Sequence, residues 1–157
     1  MPHIHEKIDF TATALIYFND KVLFRKHDKY GIWIGVGGHV ELDENPNQTV
    51  IREVKEEVGL DVTIFKDYIG VELSSTDGEY KLQELIPPRF MHIHYVNDTH
   101  QHIDMQYFCT AQNDNVIPEK SDDEWVWLTK DELEKTTLGI PIELKKYALI
   151  GFKEVYG

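Results

Sequence analysis

Alternating apolar and polar positions dominate the beginning of the chain. Residues Ile8–Phe18 alternate and are rich in β-branched and aromatic side chains, which is typical of a half-buried strand. The pair Asn19-Asp20 predicts a turn, and strand character resumes over Lys21–Arg25. We therefore expect a β-hairpin first, followed by a glycine- and aromatic-rich segment over Tyr30–Gly38.

The apolar period then changes from two residues to four. Three valines recur at every fourth position: Val50, Val54 and Val58. This spacing predicts an apolar stripe on a helix over Pro46–Gly59. Asn45 is the expected N-cap, Pro46 suits the first helical position, and Gln48 completes a capping box. Gly59 is a typical residue at which a helix ends.

The second half of the chain predicts mainly strands. Strand-like composition marks four segments: Asp61–Val71, Arg89–Val96, His102–Ala111 and Glu124–Leu128. The polar stretch Ser74–Pro88 predicts a loop or insertion. Thr129 is the expected cap of a short helix over Lys130–Lys135, and Ile142–Tyr156 has helical spacing. Together these elements predict an α/β (α+β) fold, with a mixed sheet between helices.

The charge balance narrows the expected partners. Sixteen Lys and Arg against 28 Asp and Glu give a formal net charge of −12, whereas binding to a nucleic-acid backbone requires a basic surface. We therefore expect no nucleic-acid polymer as a partner. The negative charge does not exclude ligands that carry phosphates, because divalent cations can lie between the phosphates and the protein. Apolar runs such as Thr13–Phe18 are too short to span a membrane, and a single cysteine, Cys109, fits a reducing, cytoplasmic location.

Three glutamates share one face of the predicted helix. Glu53, Glu56 and Glu57 stand at positions i, i+3 and i+4, so Glu53 and Glu57 repel each other by roughly 0.2–0.5 kcal/mol. They also lie toward the negative end of the helix dipole. Mg²⁺ or Mn²⁺ would remove this repulsion, because hard cations prefer oxygen ligands. Taken alone, three acids on one helix face are more typical of a solvated surface, with some pairing from Arg52 and Lys55.

The glutamates belong to a longer pattern that runs from Gly38 to Leu60. This segment reads GHVELDENPNQTVIREVKEEVGL and fits G-x5-E-x7-R-E-U-x-E-E-x-G-U, where U is a bulky aliphatic residue, at every defined position. It resembles the Nudix box. The order of the surrounding strands is also similar, so we expect residues 1–157 to form a single Nudix hydrolase domain. The resemblance implies the Nudix fold, a mixed sheet sandwiched between helices with the box as loop–helix–loop.

The resemblance also implies an activity. Nudix hydrolases mostly cleave a nucleoside diphosphate linked to another moiety, using Mg²⁺ or Mn²⁺. We therefore expect a metal-dependent pyrophosphohydrolase whose partner is a small nucleoside diphosphate derivative. The alternatives are a Nudix-like module that binds nucleotides without cleaving them and a purely structural acidic domain. The sequence defines neither the exact nucleotide nor the oligomeric state, and a homodimer stays open.

The resemblance assigns the metal ligands to box positions. Glu56 and Glu57 match the core metal ligands, and Glu53 matches a further ligand or a group that orients water. The family also uses a backbone carbonyl at the glycine pair, here Gly37 or Gly38.

Other box positions match supporting roles. Arg52 resembles the arginine that orients a box glutamate, and Glu44 is expected to support the ligands rather than bind the metal. Gly59 is expected to be structural. Many members carry Pro-Gly-Gly before the box where this chain has Val36, a change that removes some loop rigidity but no ligand.

The general base is expected outside the box. In MutT-like members, a glutamate on the loop before a tryptophan-bearing strand contributes to metal binding or activates water. Glu119, six residues before Trp125, matches this placement, and Asp122 and Glu124 are alternatives.

Two substrate contacts and a histidine pattern complete the candidates. Arg25, at the end of the second predicted strand, is a candidate phosphate ligand, and His102 begins a run that resembles a Nudix strand leading toward the pocket. Histidines also recur at spacing two: His3/His5, His92/His94 and His100/His102. On a strand each pair would share one face, which suits either a transition metal or an ordinary polar surface.

Overall fold

A computed structural model describes residues 7–70, 74–75 and 82–157, so His3 and His5 lie outside the described residues. The described strands are β1 (Ile8–Phe18), β2 (Lys21–Lys26), β3 (Trp33–Ile34), β4 (Val36–His39), β5 (Val62–Ile64), β6 (Ser74–Ser75), β7 (Leu82–Gln83), β8 (Phe90–Tyr95), β9 (Gln101–Ala111) and β10 (Trp125–Thr129). The described helices are α1 (Pro46–Val58), α2 (Lys130–Lys135) and α3 (Ile142–Tyr156). None of these helices combines the length and the apolar character needed to cross a membrane.

Eight of the described strands form one mixed sheet. Its main order is β10-β2-β1-β9-β5, while β3 pairs with β2, β4 with β1, and β8 with β9. The central strands β1 and β9 run parallel, with Ile8 opposite Gln101 and Tyr17 opposite Thr110. Strand β4 runs antiparallel to β1 and leads directly into the loop before α1. The predicted box therefore starts next to the central strand of the sheet.

Helices cover both faces of this sheet. On one face, the buried valine stripe of α1 packs with alternate residues of β1, including Ala12 and Ala14. The intervening residues Leu15 and Tyr17 point to the opposite face, where α3 packs against them. There the Tyr17 hydroxyl donates a hydrogen bond of 2.7 Å to the carbonyl of Ala148. The predicted mixed sheet between helices is confirmed.

Both ends of α1 form as predicted. The Asn45 side chain accepts a hydrogen bond from the Gln48 N–H at 3.0 Å, and the Gln48 side chain accepts one from the Asn45 N–H at 2.9 Å. At the other end, Gly59 adopts a left-handed conformation with φ 69°. Ile117 packs beside it, and the Ile117 N–H donates to the Val58 carbonyl at 2.8 Å. The helix is thus fixed at both ends and tied to the loop before β10.

Two predicted segments differ from the structure. The strand expected over Asp61–Val71 ends at Ile64, and the chain beyond it leaves the sheet, so that Ile69 is 95% exposed. A strand needs a partner strand as well as a suitable composition, and among the described residues no strand pairs with residues 66–70. The loop expected over Ser74–Pro88 contains the short pair β6 and β7, with Ser74 opposite Gln83.

Replacing Gly59 with alanine tests the helix end. A left-handed conformation costs an L-residue about 1–2 kcal/mol, and an added Cβ would lie 2.8 Å from the Cβ of Ile117. We expect Gly59→Ala to lower the free energy of unfolding by at least about 1 kcal/mol in urea denaturation. At Gly139 the backbone is not left-handed and no atom lies within 4 Å of an added Cβ. Gly139→Ala should therefore change stability by less than about 0.5 kcal/mol, and equal effects of the two variants would contradict the assigned role.

Candidate functional site

Two glycines allow the strand before the box to approach its neighbours closely. Gly37 lies opposite Thr13 and Gly38 opposite Ala12 in the pairing of β4 with β1. A Cβ on Gly37 would overlap the carbonyl oxygen of Ala12, and a Cβ on Gly38 would overlap the carboxylate of Glu53. The absence of a side chain at Gly38 therefore lets a carboxylate of α1 lie directly against β4.

The three box glutamates differ in exposure. Glu53 is 8% exposed, the side chain of Glu57 is 16% exposed, and that of Glu56 is 54% exposed. The carboxyl groups of Glu53 and Glu57 are close enough that each affects the pKa of the other. The structure thus brings Glu53 and Glu57 together in a largely dry place, with Glu56 at its rim.

Burial dominates the electrostatics of this pair. It raises the pKa of Glu57 to about 8; Arg25 opposes the rise, and the neighbouring Glu53 adds to it. Burial also raises the pKa of Glu53, against the lowering effect of Arg52. Two charged carboxylates would repel each other strongly in a poorly solvated place. Without a further cation, the pair therefore retains a proton near neutral pH.

Arg52 connects the helix to the loop that precedes it. Its Nε and Nη2 donate to both carboxylate oxygens of Glu44, at 3.0 and 2.6 Å. Its Nη1 donates to Glu53 at 2.9 Å and to Glu56 at 3.2 Å, and its Nη2 donates to the His39 carbonyl at 3.2 Å. The bonds from Arg52 lower the pKa of Glu44 to about 2, and Glu44 in turn raises the pKa of the guanidinium. Arg52 therefore holds three glutamates of the box at once: Glu44, Glu53 and Glu56.

Arg25 approaches the glutamate pair from β2. Its Nη1 lies 3.8 Å from Oε2 of Glu57, and its Nη2 lies 3.4 Å from Oδ1 of Asp123. The side chains of Arg25 and Asp123 are only 11% and 3% exposed. The pairing of β2 with β10, in which Arg25 lies opposite Trp125, brings these groups together. The predicted phosphate ligand is thus part of the charge cluster around Glu57.

The loop before β10 is bound to the end of α1. The Glu119 N–H donates to the Glu57 carbonyl at 3.2 Å, and the negative charge of Glu119 adds to the raised pKa of Glu57. The side chain of Glu119 is exposed at the edge of the cluster. Of the two alternatives, Asp122 is exposed, and Glu124 is exposed and paired with Lys26 at 3.0 Å.

Sequence reasoning missed Asp123, although it considered both of its neighbours. Its carboxylate contacts Arg25 and also accepts a hydrogen bond from the Lys120 N–H at 3.0 Å. Asp123 thereby connects β2 to the loop that carries Glu119. No local sequence signal marks it, because the pairing of β2 with β10 is what brings it to Arg25.

An open acidic depression lies beside Arg52. It is lined by Glu41, Asp43, Glu44, Gln48, Arg52 and Glu56. Since four of its six lining residues carry carboxylates, an anionic phosphate would approach this rim only with cations between them.

His102 lies on the other face of the sheet. His102 is opposite Asp9 in the pairing of β1 with β9. Gly38 is opposite Ala12 of the same strand, and the side chains of Asp9 and Ala12 point to opposite faces of the sheet. Strand alternation therefore separates His102 from Glu53 by the thickness of the sheet. Its role as a substrate contact stays a prediction.

Comparisons with known folds agree with this architecture. A family model described as NUDIX domain matches residues 9–147. The solved structure of a NUDIX-family hydrolase from Clostridium perfringens is similar, with a TM-score of 0.81 and 30% identity over 94% of this chain and 97% of that one. A MutT NUDIX hydrolase from Burkholderia pseudomallei has a TM-score of 0.62 and 17% identity over 96% and 99% of the two chains, a likeness of fold alone.

Curated relatives match over part of their length. A probable DHNTP pyrophosphohydrolase from Lactococcus lactis is 29% identical over 66% of this chain and 55% of its own. A CTP pyrophosphohydrolase from Escherichia coli is 32% identical over 57% and 62%. An NAD-capped RNA hydrolase from Pseudomonas aeruginosa is 28% identical over 54% and 34%. The chain thus spans about three-fifths or less of the length of these relatives.

Acid unfolding tests the support that Glu44 gives to Arg52. The pKa of Glu44 lies at about 2 in the folded protein, below its ordinary value of 4.5. Its contribution to stability is therefore complete above about pH 4.5 and is lost as the pH falls through about 2. We expect Glu44→Gln to lower the free energy of unfolding by about 2–3 kcal/mol at neutral pH and to flatten its decline in acid, measured by urea denaturation.

The matched control is Glu41→Gln. The Glu41 carboxylate lies 4.0 Å from Arg52, and its side chain is 37% exposed. This variant should keep both the stability and the acid dependence of the parent chain. A Glu44→Gln protein as stable as the parent at neutral pH would contradict the proposed support.

Proposed function

We infer that this chain, which belongs to the NUDIX domain family, is a divalent-metal-dependent pyrophosphohydrolase that cleaves a phosphoanhydride bond in a small nucleoside diphosphate derivative. The position of Glu53 against Gly38, with Glu57 beside Glu53, carries this inference. Two curated relatives are named pyrophosphohydrolases, and the name of one of them gives a nucleotide, CTP, as its substrate, which supports the same reaction class.

The side chains fit a hard divalent cation. Glu53 and Glu57 offer carboxylate oxygens from a place where burial disfavours two negative charges, and Gly38 leaves room beside them. We propose that these two residues, Glu56 and the backbone carbonyl of Gly38 hold Mg²⁺ or Mn²⁺. When bound, the ion would offset the charge of the phosphate oxygens and lower the pKa of a bound water.

Arg52 acts on the substrate only through other residues. By donating to Glu53 and Glu56 it holds their carboxylates before any ligand arrives, and Glu44 holds its guanidinium from the other side. Side chains that are already ordered lose less conformational entropy when the ligand binds. Arg52 and Glu44 are therefore positioning residues.

Arg25 has two proposed tasks. Its guanidinium, 3.8 Å from Glu57, favours the ionised form of that carboxyl, which is the form that binds a cation. Asp123 holds it there, at 3.4 Å. From the same position a guanidinium can also donate to a phosphate oxygen of the substrate.

Glu119 is the proposed general base. It lies on the loop that is hydrogen-bonded to the end of α1, and its exposed carboxylate can accept a proton from the attacking water. The backbone bond between Glu119 and Glu57 keeps this loop next to the acidic cluster.

A nucleotide-binding module without hydrolytic activity is the competing function. A panel that contains CTP, other nucleoside triphosphates, DHNTP and nucleoside diphosphate derivatives separates the two functions. Release of pyrophosphate, phosphate or a monophosphate that requires Mg²⁺ supports the enzyme. Saturable binding without any turnover across the panel would support the module.

The variant Glu57→Gln tests the proposed cation ligand. We expect turnover to fall by at least about 100-fold, the scale on which removal of one charge-stabilising group acts. The fold should be retained, because a neutral amide of similar shape removes the repulsion from Glu53. Glu134, an exposed glutamate of α2, gives the matched control Glu134→Gln, which should keep full activity. Full Mg²⁺-dependent activity in Glu57→Gln would show that the ligand assignment is wrong.

The variant Glu119→Gln tests the base. If Glu119 accepts the proton, its loss should remove the acidic limb of the pH–rate profile as well as lower kcat. Glu124→Gln and Asp122→Asn, which change the two alternative carboxylates on the same loop, should leave the profile unchanged. A profile that is unchanged in Glu119→Gln and altered in one of the other two would move the base to that residue.

A further inference from the structure

We propose that the opposite face of the sheet carries a second metal site, suited to a transition-metal ion such as Zn²⁺, that is formed by Asp9, His39, His100 and His102. This site is separate from the box glutamates, and the proposal does not depend on the hydrolytic function.

Three strands bring these residues to one place. The parallel pairing of β1 with β9 sets Asp9 opposite His102. The antiparallel pairing of β4 with β1 sets His39 opposite Thr11, on the same side of the sheet as Asp9. His100 lies directly before β9, where it approaches the Asp9 carboxylate. The four side chains come from positions up to 93 residues apart in the chain.

The distances suit a compact coordination sphere. Oδ2 of Asp9 lies 3.1 Å from Nε2 of His100 and 3.6 Å from Nε2 of His39. Ligand atoms of Asp9, His100 and His102 all lie within 4.8 Å of one another, and the His39 and His102 rings are 4.9 Å apart between centroids. A tetrahedral zinc ion with bonds of about 2.0–2.2 Å separates its ligand atoms by about 3.3–3.5 Å. Small side-chain movements would therefore close the sphere.

The donor chemistry differs from that of the box. Three imidazole nitrogens and one carboxylate oxygen form a set typical of zinc and neighbouring transition metals, whereas the glutamates offer oxygen alone. Asp9 is 1% exposed and His100 is 4% exposed, so this is not a solvated polar surface. A simple buried ion pair would account for Asp9 and His100, but not for the approach of His39 to the same carboxylate at 3.6 Å.

The neighbouring polar groups are engaged elsewhere. The buried carboxylate of Asp104 accepts hydrogen bonds from Thr11 and Thr13 at 2.7 and 2.8 Å, and His92 lies 3.9 Å from it. His94 packs near His102 with a ring separation of 5.3 Å, but it is exposed. It therefore provides a matched control for the site.

An ion in this place would hold the start of the box. His39 directly follows Gly38, and its carbonyl accepts a hydrogen bond from Arg52. A ligand bond to the His39 side chain would thus restrain the backbone that Arg52 and Glu53 contact from the other side.

Titration of the metal-stripped, full-length protein with Zn²⁺ tests the site. By calorimetry we expect one tightly bound ion, together with a rise in melting temperature. With Co²⁺ we expect the intense visible absorption of a four-coordinate ion. Asp9→Asn and His100→Gln should weaken Zn²⁺ binding by at least about tenfold. His94→Gln and Glu57→Gln should bind as the parent chain does.

Two results would overturn the proposal. One is the absence of stoichiometric Zn²⁺ binding, which would leave a buried ion pair only. The other is binding that survives in His100→Gln but is lost in Glu57→Gln, which would place the ion at the box. If the site variants fail to fold, nitrogen NMR of the histidine rings in the unaltered protein still decides. Zn²⁺ should shift the resonances of His39, His100 and His102 and leave those of His27 unchanged.

Discussion

The contact between the Glu53 carboxylate and the bare backbone at Gly38 determines the arrangement of the whole site. With Gly38 bare, the Glu53 carboxylate of α1 lies directly against β4, and a side chain there would displace it. At this separation, Arg52 can reach Glu53, Glu44 and the His39 carbonyl together. The helix, the strand and the loop between them are therefore held as one unit, and a side chain at Gly38 would disturb the carboxylate that Arg52 holds.

The two arginines near the glutamates set the charge of the site. The chain has a formal net charge of −12, yet Arg25 and Arg52 both lie within 4 Å of box glutamates. They compensate part of the negative charge but leave the pKa of Glu57 at about 8. The proposed cation would supply the positive charge that the two arginines leave uncompensated.

Local spacing made much of the fold and the box predictable. The capping box at Asn45, the end of α1 at Gly59 and the bounds of α2 and α3 depend on residues close together in the chain. Asp123 and the group around Asp9 could not be predicted in this way, because strand pairing across the sheet brings them to their partners. The early end of β5 also depends on pairing across the sheet. The residues that follow Ile64 have strand-like composition, but a strand also needs a neighbouring strand.

The parallel pairing of β1 with β9 has a consequence for biosynthesis. Residues 8–17 pair with residues 101–110, so the centre of the sheet cannot close until residue 110 has left the ribosome. Helix α1 emerges well before that point. Until β9 follows, the part of its apolar stripe that packs with β9 is exposed. Such long-range closure is slow. The nascent chain would therefore spend its most aggregation-prone interval with the acidic box already translated, and the negative charge of that segment would help to keep it dispersed.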